Sequence, residues 1–144
     1  MKPGDEAGLA AFQSASARIG VRVSEAGQRF IILHENARVF ARGEDGRPTF
    51  QKKDQDVGVG IMEGEKIWLR INYIFTPQEE GEEADTAYFS YSYDGEEWFE
   101  FPYSLSMRFS LDYFTGYRSA LYNYATLEEG GGTADFDWFH QRVY

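Results

Sequence analysis

Apolar residues alternate with polar or small residues in many short segments, and no segment keeps the i, i+3, i+4, i+7 spacing of a helix. Leu69 and Ile71 share one predicted strand face, and Val57, Val59 and Ile61 are expected to face the core in the same way. Strands are predicted at 8–14, 18–23, 28–34, 37–42, 57–62, 67–75, 86–93, 97–101, 105–109, 117–124 and 134–139. Strands this short and numerous predict an all-β sandwich of two antiparallel sheets.

Turn residues and charge runs divide these strands. Asp94-Gly95 predicts a tight hairpin turn between two aromatic-rich strands, because this pair supplies the positive φ angles of such turns. Residues 76–86 contain four Glu and one Asp, and this charge density predicts a solvated loop. A second polar loop is predicted at 43–56.

The composition describes a single folded domain over residues 1–144. The 25 aromatic residues are enough to dominate a core. A net charge of −10 argues against partners made of nucleic acid and against an anionic membrane surface. The chain has no Cys, so it forms neither disulfides nor thiolate zinc sites. No signal peptide is recognised at the start, and we expect a cytoplasmic protein or one that is exported with a parent enzyme.

Three stretches of the chain carry a family resemblance. They are MRFSLDYFTGYRSALYNYATLEEGGGTADFDWF from Met107 onward, AGLAAFQS at 7–14, and Ser-x-Asp-Gly-x-x-Trp at 92–98. Together they resemble the C-terminal β-sandwich attached to catalytic domains of glycoside hydrolase family 43. The resemblance implies a concanavalin A-like, jelly-roll fold. The family's sandwich usually has additional strands before the segment that matches AGLAAFQ, so here we expect that those strands lie in another chain, that the gene is shortened, or that the sheets close differently.

The same resemblance implies an accessory, non-catalytic role. In that family the sandwich packs on a five-bladed catalytic β-propeller of β-xylosidases and α-arabinofuranosidases, which act on plant-wall oligosaccharides such as xylan. The propeller would be attached covalently or supplied as a separate chain. A loop of the sandwich lines the neighbouring substrate pocket, and the matching residues here are Tyr113 and Phe114. The alternative for Phe114 is a place at the edge of the sandwich core.

One acidic pair is a candidate for catalysis within the chain itself. Asp135 and Asp137 would lie about 6–7 Å apart on one face of a strand, a spacing compatible with glycoside hydrolysis. The Glu-x-Asp-x-x-Glu signature of concanavalin A-like glucanases does not occur, so catalysis by this chain alone is not expected. Exposed positions, or ligands to a structural Ca²⁺, explain the two Asp better, and no cofactor is required.

Two strand faces could hold a sugar. Trp68, Arg70 and Asn72 share one face and are candidate substrate-binding residues, and the alternative is a face covered by a loop or by the propeller. Tyr122 and Tyr124 share a face of the 117–124 strand with the same two alternatives. Two other functions therefore stay open, a free-standing carbohydrate-binding module and a small glycoside hydrolase acting alone.

Overall fold

The computed structural model describes residues 1–107 and 116–143, with residues 39–41 described by their backbone alone. The strands are β1 (Asp5–Phe12), β2 (Ser16–Val23), β3 (Arg29–Arg42), β4 (Pro48–Ile61), β5 (Trp68–Ile74), β6 (Thr86–Ser92), β7 (Phe99–Ser106) and β8 (Arg118–Ala125). The large sheet has the order β4-β3-β2-β1-β8, and the small sheet has the order β5-β6-β7. All pairs in both sheets are antiparallel, so the predicted all-β sandwich is confirmed.

The core lies between the two sheets. The small sheet is placed with β5 over β1 and β7 over β4. Ile19, Ile31 and Leu33 of the large sheet pack with Phe89 and Leu105 of the small sheet, and all five are buried. Burying each such side chain contributes roughly 1.5–3 kcal/mol, which makes this cluster the main source of stability.

The pairing of β3 with β4 continues beyond the rest of the large sheet. The first residue of β2, Ser16, pairs with Asn36, and β3 continues past this point without β2 beside it. From Ala37 to Lys53, β3 and β4 therefore form a two-stranded ribbon, roughly 20 Å long, that turns at 43–47. We call this ribbon the arm. The predicted loop at 43–56 is therefore wrong from residue 48 onward. Side chains 48–56 are exposed, so they show no apolar alternation to reveal the strand.

A β-bulge in β4 changes which residues face the core. Val57 lies between the residues that pair with Leu33 and His34, and beyond it the alternation is reversed. Gly58 faces inward, where a Cβ atom would lie 2.4 Å from the Phe101 ring. Val57 packs against the core as predicted, but the prediction that Val59 and Ile61 face the core is wrong, since they are 60% and 62% exposed.

The connection between β6 and β7 is a hairpin, as predicted, but its turn is longer than two residues. It runs over residues 93–98, and only Gly95 in it has a positive φ, of 80°. The Asp94 carboxylate accepts hydrogen bonds from the backbone N–H groups of Glu96 and Glu97, at 2.8 and 2.9 Å. This Asx turn replaces the predicted pair of positive φ angles.

The segment after β8 forms no strand, so the strand predicted at 134–139 is wrong. The backbone N–H of Gly132 donates to the buried Asp5 carboxylate at 2.9 Å, and Lys66 pairs with Asp137 at 3.2 Å. These contacts lead the segment across the end of the sandwich where β1 and β5 begin. A segment with alternating apolar residues forms a strand only where the backbone of a neighbouring sheet edge can form hydrogen bonds with it.

Candidate functional site

A groove of about 520 Å³ lies on the outer face of the large sheet. It crosses β8, β1, β2 and β3 and is lined by Ala10, Phe12, Ser16, Ala17, Arg18, His34, Asn36, Ala120, Tyr122 and Tyr124. We call it the sheet groove. Gly20 leaves space for the Tyr122 side chain at the bottom of this groove, because a Cβ atom on Gly20 would lie 2.3 Å from the Tyr122 hydroxyl.

A buried carboxylate organises the groove from below. Glu6 is fully buried, and it accepts hydrogen bonds from Arg18 Nε at 2.6 Å, Arg22 Nε at 2.8 Å and the Tyr122 hydroxyl at 3.1 Å. Burial alone would raise the pKa of Glu6, but the two arginine hydrogen bonds outweigh it and hold this pKa below its ordinary value. Glu6 is therefore ionised at neutral pH, with each oxygen paired to an arginine.

The Arg18 guanidinium extends this network to two aromatic rings. It donates through Nη2 to the Tyr124 hydroxyl at 3.0 Å and lies 5.7 Å from the Tyr124 ring centroid and 6.0 Å from that of Tyr122. Burial raises the pKa of the Tyr122 hydroxyl, and the charge of Glu6 raises it further. Both tyrosines are thus neutral and are held in place by one cation.

His34 lies between two carboxylates at the β4 side of the groove. Its Nδ1 is 2.8 Å from Asp56 and its Nε2 is 2.7 Å from Asp54. Each ring nitrogen thus faces a carboxylate oxygen, so both sides of the imidazole are engaged within this chain. A hydrogen bond from Arg22 lowers the pKa of Asp56 against the opposing effect of burial, and His34 lowers it further. The sequence alone does not show these contacts, because Asp54 and Asp56 lie on β4 and meet His34 only through the pairing of β3 with β4.

The small sheet places Trp68, Arg70 and Asn72 on one outer face, as the alternation predicts. The aromatic groups there already contact cations of this chain. The Lys66 ammonium lies 5.2 Å from the Trp68 ring centroid, and the Arg70 guanidinium lies 4.0 Å from the centroid of Trp98. A hollow of about 200 Å³ near this face is bounded by β6 and β7 rather than by these three residues.

The other candidate residues have no common site in the described part of the chain. Tyr113 and Phe114 lie outside the described residues. Asp137 pairs with Lys66, and Asp135 lies two residues before it in a segment that is not a strand. Among the described residues, no group of three or more His, Asp or Glu side chains could hold a metal ion, and no helix is long and apolar enough to cross a membrane.

Comparisons with known proteins agree with this architecture. Residues 1–142 match the family model described as the beta xylosidase C-terminal concanavalin A-like domain. One similar solved structure is a GH43 glycoside hydrolase whose engineered active site displays both endo-xylanase and exo-arabinofuranosidase activity. It is 29% identical with a TM-score of 0.66, over 88% of this chain and 24% of that one.

A second similar structure is a bifunctional GH43-CE protein of Bacteroides eggerthii. It is 32% identical with a TM-score of 0.60, over 91% of this chain and 14% of that one. The chain thus spans less than a quarter of the length of either enzyme. A search of curated proteins found no match. With the two-sheet sandwich and a family match over almost its whole length, this chain belongs to the family of beta-xylosidase C-terminal concanavalin A-like domains.

Proposed function

We propose that this chain is a non-catalytic sandwich that packs on the catalytic propeller of a family 43-type glycoside hydrolase and helps to shape a substrate pocket for xylan- or arabinan-type glycans. The family match and the two much longer enzymes that contain similar domains support this proposal. The observation that carries it is an apolar flank that the described residues of the sandwich do not cover.

This flank lies where the large sheet extends past the small one. Leu121 of β8 pairs with Leu9, which packs on the core, so Leu121 points to the core side of the sheet. It is nevertheless 45% exposed, because β5 lies over β1 and β8 lies beyond it. Phe75, just after β5, is 62% exposed. Apolar groups exposed beside a core are typical of an interface with another domain.

In the sequence, Tyr113 and Phe114 fall between the last residue of β7 and the first residue of β8, and those two strand ends lie at the same end of the sandwich. β7 ends at Ser106, and β8 begins at Arg118, which pairs with Phe12 at the end of β1. The arm projects from this same end, because it continues β3 beyond the start of β2. This arrangement supports an orientation in which this end faces the catalytic domain.

Kinetics of the parent enzyme test the pocket role. Replacing Phe114 with Ala should raise KM or lower kcat on xylosides or arabinosides without unfolding the sandwich, since the ring would stack on the substrate. Phe139→Ala is the matched control and should leave both constants unchanged, since Phe139 comes two residues after Asp137, which pairs with Lys66 at the opposite end of the sandwich. Unchanged kinetics in Phe114→Ala would refute the pocket role.

Docking is tested separately with the catalytic domain and this chain produced as two polypeptides. Leu121→Asp should weaken their association in analytical ultracentrifugation by at least about tenfold, since it places a charge in an apolar interface. Glu25→Gln, at an exposed turn, should associate like the wild type. Equal association of the Leu121→Asp variant would show that the flank is not the contact surface.

A further inference from the structure

We infer that the sheet groove is itself a binding site for a neutral oligosaccharide, separate from any substrate pocket in a catalytic domain. This inference rests on the proposed function for the class of ligand, a plant-wall glycan. Three properties of the groove support this inference. Aromatic rings are exposed along it, its charged groups are paired with one another, and its side chains are held in place by hydrogen bonds.

The rings are spread along the groove. Phe12 lies near one end and is 56% exposed, and Tyr124 lies near the other and is 39% exposed. They are separated by the length of a strand, because Phe12 is the last residue of β1 and Tyr124 pairs with Glu6 near its start. Six residues of strand span roughly 20 Å, so a chain of several sugar rings fits better than one monosaccharide. Exposed rings of this kind stack on the apolar faces of sugars.

The charges in the groove cancel within this chain. The three carboxylates of Glu6, Asp54 and Asp56 pair with three cations, which are Arg18, Arg22 and Lys52. The polar groups left for a ligand are uncharged. The Tyr124 hydroxyl accepts from Arg18 and also interacts with Glu6, and the Asn36 side-chain amide has no hydrogen bond to another described residue. A ligand with hydroxyl groups and no charge matches this surface.

The network beneath the groove fixes these groups before a ligand arrives. A buried ion pair is often no more stabilising than apolar residues of similar volume, so the Glu6 network is poorly explained by stability alone. It does hold the rings of Tyr122 and Tyr124 through hydrogen bonds and the Arg18 guanidinium. Rings that are already fixed lose less conformational entropy on binding, which favours affinity for a weak ligand such as a sugar chain.

The experiment is a titration of the 144-residue chain with xylohexaose, followed by calorimetry and by amide NMR shifts. We expect saturable binding with the largest shifts at groove residues, and a Kd that is the same in 50 mM and 500 mM salt because the ligand is neutral. A uronate-bearing xylo-oligosaccharide should bind no more tightly. Absence of saturation, or a preference for the acidic ligand, would overturn the inference.

Variants then locate the site. Tyr124→Ala and Asn36→Ala should each weaken binding at least about fivefold. Tyr124→Phe keeps the ring and should weaken it less, so the test holds even if Tyr124→Ala does not fold. Trp68→Ala on the small sheet is the control and should bind like the wild type. If Trp68→Ala abolishes binding while the groove variants retain it, the groove is not the site. These results are independent of the Phe114→Ala kinetics, so either proposal can fail alone.

Discussion

Replacing Glu6 with Gln removes one buried negative charge while keeping the shape of the side chain. Two guanidinium groups lose a carboxylate partner, and breaking a fully buried ion pair in this way costs about 3–5 kcal/mol. The loss here should be smaller, because the side chains of Arg18 and Arg22 are 23% and 30% exposed and Arg22 retains Asp56. We therefore expect the free energy of unfolding to fall by about 2 kcal/mol and Tm to fall by about 4–8 °C.

The pH dependence of this loss identifies the charge as its cause. The folded-state pKa of Glu6 lies below the ordinary value of 4.5, so its ion pairs stabilise the fold above pH 4.5 and are lost as the pH falls through the lower folded value. The difference between wild type and Glu6→Gln should thus be full at pH 7 and shrink as the pH falls below 4.5.

Urea denaturation followed by tryptophan fluorescence measures the free energy of unfolding of wild type and Glu6→Gln at pH 7 and at lower pH. Glu25→Gln, in an exposed turn, is the matched control and should lie within about 0.5 kcal/mol of the wild type at every pH. If Glu6→Gln is as stable as the wild type at pH 7, or if its deficit does not change with pH, the ion-pair reasoning is wrong.

Four further substitutions test the packing, a buried hydrogen bond and the bulged register. Gly20→Ala should destabilise the fold by about 2–4 kcal/mol, since the new Cβ atom would meet Tyr122 and backbone atoms. Gly60→Ala, whose new Cβ atom has its nearest contact at 3.8 Å, should cost less than about 1 kcal/mol, and thermal melts compare the two. Tyr103→Phe removes a 2.9 Å hydrogen bond to the buried Glu35 carboxylate and should cost about 1–2 kcal/mol in urea denaturation. Ile61→Thr should stay within about 0.5 kcal/mol because its side chain is mostly in solvent, and a loss above 2 kcal/mol would contradict the bulged register.

Much of the fold could be predicted because one face of most strands is buried. The alternation around Leu69 and Ile71 locates β5, and both residues pack on the core. The same reasoning fails at residues 48–56, whose side chains are all exposed. It also fails at Val59, where a single bulge reverses the pattern, and nothing in the local sequence marks a bulge that depends on the partner strand.

The groove could be predicted only in part. Tyr122 and Tyr124 were recognised as sharing a face, because they lie on one strand two residues apart. The network beneath them was missed, since Glu6 meets Arg18 and Arg22 only through the pairing of β1 with β2. One signal was available, as the acidic pair Asp5-Glu6 at the start of an otherwise small and apolar strand implies buried hydrogen-bonding or cationic partners.

The arm gives this molecule an uneven distribution of charge. Residues 37–53 contain five Arg and Lys against two acidic residues, a net charge of +3, which leaves −13 on the rest of the chain. The domain is therefore an electric dipole whose positive end projects from one end of the sandwich. In dilute salt, where the Debye length reaches about 30 Å, an approaching charged surface exerts a torque that turns the arm toward negative potential before any contact forms. The orientation of first encounter is then set by electrostatics over a distance longer than the arm itself.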